Sequence, residues 1–257
     1  GRREGVTEGT ADGVTVLSAW VGEWELNVIG SDVDQSYAVL DAIVVTGSGR
    51  AFCAGMYLSS EGNVFGLDES QRPTMDDLVH RLDEPAILDG VRDTGGRVTL
   101  AVYRCTKPVI AAINGPAVGI GATMTLPMDV RIASENARIG FVFGRLGIVP
   151  EACSTWFLPR IVGISRALEM AYSAEILDAQ QALAAGLVRE VVAPDDLLPT
   201  AYALAHRFVD GRSPVATALM RQMLYRNSAQ PDPLAAHQVE SLAMFYSSIG
   251  DGKEGVA

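Results

Sequence analysis

Short apolar runs separated by glycine-rich or polar stretches make up the first three quarters of the chain, and the runs predict strands. Residues 13–18 alternate between apolar and polar positions as a half-buried strand does, whereas residues 40–46 and 108–114 are predominantly apolar. Continuous apolar runs bounded by turn formers indicate fully buried strands. Further short strands are predicted at residues 129–133, 138–141 and 187–192.

The pattern becomes helical after residue 194. Apolar positions recur there at spacings of three and four residues, which predicts three amphipathic helices whose apolar faces need a partner surface. Just upstream, Asp178 and Gln181 have the form of a helix capping box. We therefore predict an α/β core in residues 1–193 and a helical region in residues 194–257.

Two stretches give a weaker signal. Residues 19–38 show no clear period. Residues 59–96 are polar, dotted with glycine and rich in aspartate, with one plausible helix at residues 75–82. A long polar segment between buried strands predicts a surface loop, which is either a lid over a binding site or an insertion without a function.

Composition narrows the class of protein. The chain has 257 residues, of which 48% are hydrophobic, enough for one large core or a core with a small appendage. A net charge of −11 argues against nucleic-acid binding, which requires clustered Lys and Arg. We find neither an apolar run of about 18 residues nor a signal-like segment, so we expect no membrane association and a cytoplasmic location.

The positions of the cysteines and histidines argue against a metal-binding site. Cys53, Cys105 and Cys153 are scattered without a CxxC pair, and the three histidines lack the spacing of a metal-binding motif. We therefore predict no metal site and small, reduced core thiols.

The glycine-rich residues 115–121 carry the first candidate chemistry. They follow a buried strand and precede a short apolar helix, so backbone N–H groups at the helix start are free to stabilise an anion. The segment lacks the third glycine of a dinucleotide-binding loop and the Gly-Lys-Ser/Thr of a phosphate-binding loop. A turn that only packs the helix on the strand is the alternative.

A second loop of small residues, 46–58, follows the strand at residues 40–46. Two such loops can direct two backbone N–H groups at one carbonyl oxygen, as an oxyanion hole does.

The combination of these loops resembles the crotonase superfamily, the enoyl-CoA hydratase/isomerase family. The resemblance covers residues 46–58, 107–133, 138–163 and 173–192, and continues more weakly to about residue 256. It implies a crotonase-like spiral of repeated ββα units followed by a C-terminal helical trimerisation region. It also implies an acyl-CoA thioester substrate with no separate cofactor, and a homotrimer or a hexamer built as a dimer of trimers. In such proteins residues 19–38 would form a strand, a turn and a helix, and residues 59–96 a lid over the acyl group.

The resemblance also assigns site residues. The oxyanion donors would be the N–H groups of Met56 and Ile120, and coenzyme A would run along Cys53, Gly55 and Leu58. Because backbone groups do this work, the side chains at the two donor positions matter little.

The proton carriers differ from those of hydratases. Thr123 and Phe143 stand where hydratases have two glutamates, whereas Glu151 stands where the isomerase branch has a single catalytic glutamate. One carboxylate suffices to carry a proton from C2 to C4 of an acyl chain. We also expect Gly119, Thr123 and Phe143 to contact substrate, and Tyr57 to narrow the acyl pocket.

The local sequence fits a base at residue 151. Its apolar neighbours Ile148, Val149, Trp156 and Phe157 predict desolvation, which raises the pKa of a glutamate from its usual value of about 4.3. Capping of the following helix is the structural alternative for Glu151. Two other functions stay open: a hydratase that uses another acid, from residues 76–93, and a catalytically silent acyl-CoA binding protein.

Overall fold

A computed structural model describes residues 6–11, 14–21, 24–30, 40–55, 63–253 and 255. Its strands are β1 Val6–Ala11, β2 Val14–Val21, β3 Trp24–Gly30, β4 Leu40–Gly47, β5 Val109–Ile113, β6 Pro116–Val118, β7 Val130–Ser134, β8 Arg138–Gly140, β9 Ile176–Asp178 and β10 Glu190–Val192. Its helices are α1 Met75–His80, α2 Pro85–Gly90, α3 Thr94–Arg104, α4 Ile120–Thr123, α5 Phe143–Leu146, α6 Ser154–Val162, α7 Ile164–Ser173, α8 Ala179–Ala184, α9 Leu197–Val209, α10 Pro214–Asn227 and α11 Pro233–Ile249.

The strands form two sheets. The larger has the order β1-β2-β3-β4-β5-β7-β10, antiparallel from β1 to β4 and parallel from β4 to β10, and the smaller has the order β6-β8-β9. Strands β5 and β7 of the large sheet are each followed by a strand of the small sheet and then by a short helix, α4 or α5. This repetition is the ββα spiral that the resemblance implied.

Strand β5 lies at the centre of the packing. All five of its residues are buried. Val109, Ala111 and Ile113 belong to the main hydrophobic core, whereas Ile110 and Ala112 pack in a second cluster with residues of α9. A strand covered on both faces is apolar throughout, which explains the continuous run and confirms the predicted strand.

Two sequence-based expectations were wrong in part. For residues 19–38 the resemblance implied a strand, a turn and a helix; β2 and β3 extend to Gly30, and the helix stays a prediction because residues 31–39 lie outside the described residues. The glycine-rich turn at residues 115–121 contains β6, because its backbone pairs in parallel with β8.

Residues 59–96 are not a simple surface loop: the described part, from residue 63, contains α1, α2 and the start of α3. Local capping explains these helices. Thr74 and Asp77 form a capping box at α1, Pro85 occupies the first turn of α2, and the Asp93 side chain caps α3.

The three C-terminal helices differ in how they pack. Helix α9 buries four residues against the large sheet, so the division at residue 193 stays a prediction. Helix α10 is anchored by buried Arg221, whose Nε donates to Asp129 at 2.9 Å. Helix α11 has no buried residue. None of the described helices is long and apolar enough to cross a lipid bilayer.

Candidate active site

The two small-residue loops are joined through their backbones. The N–H groups of Phe52 and Cys53 both donate to the carbonyl oxygen of Pro116 at 3.0 Å, and the N–H of Val118 donates to the carbonyl of Cys53 at 3.0 Å. Cys53 and Ala117 form a parallel β-bridge. The convergence of the loops that the sequence predicted is therefore a ladder of backbone hydrogen bonds.

Glycines permit this close approach. A β-carbon at Gly121 would lie 2.0 Å from the carbonyl oxygen of Cys53, so any side chain there would push the loops apart. Gly55 has a φ of +99°, and a β-carbon on it would lie 3.0 Å from the carbonyl oxygen of Val118. Both glycines are thus required by the contact between the loops.

Asn114, directly after β5, fixes the loop of small residues at positions 46–58. Its Oδ1 accepts the N–H of Gly47 at 3.1 Å, and its Nδ2 donates to the carbonyls of Gly49 at 2.9 Å and Ala51 at 3.5 Å. One side chain therefore fixes the loop from both sides of its tip.

The glycine-rich loop of residues 115–121 presents a backbone donor. Gly119 has a φ of +58° and donates its N–H to the carbonyl of Gly140 at 3.0 Å, and α4 begins at the next residue, Ile120. Within the part of the chain that the structure describes, no acceptor is found for the Ile120 N–H. Helix α4 has only four residues, so the helix dipole expected from the sequence contributes little, and the N–H itself is what remains for an anion.

Glu151 lies beside α4. The hydroxyl of Thr123, the last residue of α4, donates to Oε1 of Glu151 at 2.6 Å. The alternative role in capping is not supported, because α6 begins at Ser154 and has no side-chain cap. Ala152 and Cys153 both have a φ of +54°, and such a left-handed turn in residues other than glycine is strained. This turn lies directly between Glu151 and α6.

The start of α3 completes the surroundings of Glu151. A β-carbon at Gly95 would lie 1.9 Å from Oε2 of Glu151 and 2.5 Å from Cδ1 of Ile120. Two residues earlier, Asp93 accepts the N–H of Ala152 at 3.3 Å and also that of Gly96. The first turn of α3 thus touches both the candidate base and the residue of the candidate oxyanion donor.

The pKa of Glu151 is raised to about 7. Burial of the half-buried carboxyl is the largest cause; the hydrogen bond from Thr123 lowers the pKa, and the charge of Asp93 and the hydrogen bond to it raise the pKa. The rise expected from the apolar neighbours is thus confirmed in direction. A carboxyl with a pKa near neutrality can both accept and return a proton at physiological pH.

A model of the enoyl-CoA hydratase/isomerase family matches residues 77–257, more than half of the chain. The chain belongs to this family. It is 40% identical over 235 residues to enoyl-CoA hydratase ACTT3 of Alternaria alternata, covering 88% of this chain and 72% of that protein.

Solved structures agree with this assignment. The enoyl-CoA hydratase of Bacillus anthracis aligns with a TM-score of 0.67 and 31% identity, covering 86% of this chain and 78% of the other. A monofunctional enoyl-CoA isomerase from M. smegmatis aligns with a TM-score of 0.57 and 29% identity, covering 80% and 78%. The protein is therefore a crotonase-fold enzyme of a family that contains both hydratases and isomerases.

The enoyl-CoA hydratase/isomerase family site predicted from the sequence is only partly within the described residues. Cys53, Gly55, Gly119, Ile120, Thr123 and Glu151 lie in the joined loops or beside α4, as described above. Phe143 begins α5 and is buried in the main core with 4% of its surface exposed, so its contact with substrate stays a prediction. Met56, Tyr57 and Leu58 lie outside the described residues.

Sequence reasoning missed Asn114 and Gly95, and it included Asp93 only within a range of possible acids, residues 76–93. The only local signal was at Asp93, where an aspartate followed by Thr-Gly-Gly and an apolar segment could be recognised as a helix cap. Among the described residues, no group of three or more His, Cys, Asp or Glu side chains is arranged to hold a metal ion.

Proposed function

We propose that this protein is an acyl-CoA enzyme that stabilises a thioester enolate and moves a proton within the acyl chain, as a Δ3-Δ2-enoyl-CoA isomerase does. The observation that carries the proposal is the surroundings of Glu151: a half-buried carboxyl with a pKa of about 7 beside the one-turn helix that starts at Ile120. Family membership supplies the substrate class, a CoA thioester.

In the proposed reaction, the ionised Glu151 removes a proton from C2 of a 3-enoyl-CoA. Electrons move into the thioester carbonyl, whose oxygen receives hydrogen bonds from the N–H groups of Ile120 and Met56. The enolate then takes the proton back from Glu151 at C4, which leaves a 2-enoyl-CoA and an ionised carboxylate. A single oxyanion-hole donor is worth about 3 kcal/mol in other enzymes.

Hydration is the second candidate, and Asp93 favours it. Water addition needs a base for the water and an acid for C2, and two hydrogen-bonded carboxyls can hold both protonation states at once. Asp93 falls within residues 76–93, where the sequence left room for another acid, and its contact with the N–H of Ala152 brings it beside Glu151. The Alternaria alternata relative is named a hydratase.

Parallel assays with a 3-enoyl-CoA and a 2-enoyl-CoA distinguish these functions. Isomerisation converts the first into the second without any 3-hydroxy product, whereas hydration produces a 3-hydroxyacyl-CoA. Tight CoA binding with no turnover of either compound would contradict both and would favour a silent binding protein.

The role of Glu151 is tested by Glu151→Gln. We expect turnover to fall by about a hundredfold or more, the usual worth of a general base, while acyl-CoA affinity measured by calorimetry stays near that of wild type. Glu175→Gln, at an exposed position, is the matched control and should keep full activity. Wild-type turnover in Glu151→Gln would end the proposal.

A further inference from the structure

We infer that Asp93 is a positioning residue that holds the proton of Glu151 and thereby sets the pH above which Glu151 becomes available as a base. The inference rests on the proposed function and gives a specific role to Asp93, which the sequence offered only as one of several acids in residues 76–93. Its basis is the geometry of the first turn of α3 against the turn that carries Glu151.

Asp93 is fixed to both segments. It caps α3 through the Gly96 N–H, and the same oxygen, Oδ1, accepts the N–H of Ala152 at 3.3 Å. Ala152 directly follows Glu151, so Asp93 joins the start of α3 to the backbone of the candidate base. This connection restricts where the Glu151 carboxyl can lie.

Gly95 makes the approach possible. Its missing side chain leaves the space that Oε2 of Glu151 occupies, since a β-carbon there would be only 1.9 Å away. Asp93, two residues earlier and bonded to the N–H of Ala152, is in consequence near enough for its charge and hydrogen bonding to raise the pKa of Glu151.

A hydrogen bond between two carboxyl groups requires that one of them carry a proton, because an ionised carboxylate has no donor. The contact with Asp93 raises the pKa of Glu151, so it favours the state in which Glu151 donates and Asp93 accepts. If both groups were ionised, their charges would repel.

Other charges around the pair do not cancel this effect. Cys153 lies at the start of α6. Burial is the largest cause that raises the pKa of its thiol, and the charges of Asp93 and Glu151 raise it further. Arg92, just before α3, acts on Cys153 but makes its own ion pair with Asp83 at 3.0 Å. Across the described residues, neither Asp93 nor Glu151 has a basic side chain within ion-pair distance.

The consequence is a specific pH dependence. A base must be ionised, so the rate of proton removal rises with pH through the pKa of Glu151, near 7, and falls as the pH drops below it. Removing the charge of Asp93 lowers that pKa and moves the acidic limb of the profile to lower pH.

The test compares wild type with Asp93→Asn from pH 5 to pH 9. Asparagine caps a helix as well as aspartate does and keeps an oxygen for the Gly96 and Ala152 N–H groups, but it carries no charge. We expect the acidic midpoint of kcat/KM to fall by about half a unit to one unit. At pH 6 the variant should then retain an approximately three- to fivefold larger fraction of its plateau rate than wild type does.

Asp89→Asn is the matched control, because it removes an exposed carboxylate from the same stretch of chain, one that faces Arg97 at 3.7 Å. An unchanged midpoint in Asp93→Asn, or an equal fall in Asp89→Asn, would overturn the inference. If Asp93→Asn does not fold, Asp93→Ser supplies another uncharged cap for the same comparison.

A direct titration separates this inference from the proposed function. Carbon-13 NMR of labelled glutamate, with the Glu151 signal assigned through its loss in Glu151→Gln, reports the carboxyl midpoint without any turnover. A lower midpoint in Asp93→Asn supports the positioning role even if no enoyl-CoA is converted. Equal midpoints reject that role even in an active isomerase.

Discussion

At the scale of single residues, Gly95 decides whether the Glu151 carboxyl can occupy its position. The Gly95→Ala variant should lower kcat by about tenfold to a hundredfold, because the new β-carbon would displace Oε2, and a displacement of about 1 Å can cost that much. Alanine exceeds glycine in helix propensity by about 1 kcal/mol, so the melting temperature should not fall by a comparable amount. Steady-state kinetics and thermal unfolding measured on the same sample check both expectations.

Thr94→Ala is the control for this variant. Thr94 is exposed in the same helical turn, and its replacement also favours the helix without approaching Glu151. Wild-type kcat in Gly95→Ala, or an equal loss in Thr94→Ala, would show that the position of the carboxyl does not limit the reaction.

The same residues show what the sequence could reveal about the site. The rise in the pKa of Glu151 was predictable in direction from its apolar neighbours along the chain, although one of them, Val149, is 79% exposed. Its contacts with Thr123, Gly95 and Asp93 were not, since these residues are 28 or more positions away and meet Glu151 only through the winding of the chain. Local patterns carry no information about such pairings.

At the scale of secondary-structure elements, Asn114 links the end of β5 to the loop that follows β4. We predict that Asn114→Ala lowers the free energy of unfolding by about 1–3 kcal/mol, because the N–H of Gly47 and the carbonyl of Gly49 lose their partner. It should also weaken CoA binding, since the proposed oxyanion donor Met56 belongs to the same stretch, residues 46–58. Chemical denaturation and calorimetry measure the two effects.

Asn136→Ala serves as the comparison, because Asn136 is an exposed asparagine in a turn between β7 and β8. If Asn114→Ala loses stability but binds CoA like wild type, the loop does not depend on this clamp for its function.

Elements defined by local signals were predictable, and elements defined by tertiary pairing were not. The capping box of Asp178 and Gln181 begins α8 as expected, with both reciprocal hydrogen bonds present. Helix α1 was also predicted, at residues 75–82, and it begins at a capping box although none of its residues is buried. Strand β6 has three residues and exists because β8 lies beside it, which no local pattern could indicate.

At the scale of the whole molecule, the C-terminal helices expose more apolar surface than a single chain covers. Helix α11 has no buried residue, and seven of its large apolar side chains are at least 48% exposed, namely Leu234, Val239, Leu242, Met244, Phe245, Tyr246 and Ile249. Isolated exposed apolar residues are common, but a contiguous set along one helix marks an interaction surface. A trimer or a hexamer, as the resemblance implies, would cover it.

We therefore predict that the wild-type chain is a trimer or a hexamer in solution and that Leu242→Glu dissociates it, because a charge buried in an apolar interface loses its hydration without gaining a partner. Glu240→Lys changes a charge on the opposite side of α11, two positions before Leu242, and should leave the assembly intact. Light scattering coupled to size-exclusion chromatography gives the mass of each form. A monomeric wild type would contradict the predicted assembly, and an assembled Leu242→Glu variant would place the interface away from this face of α11.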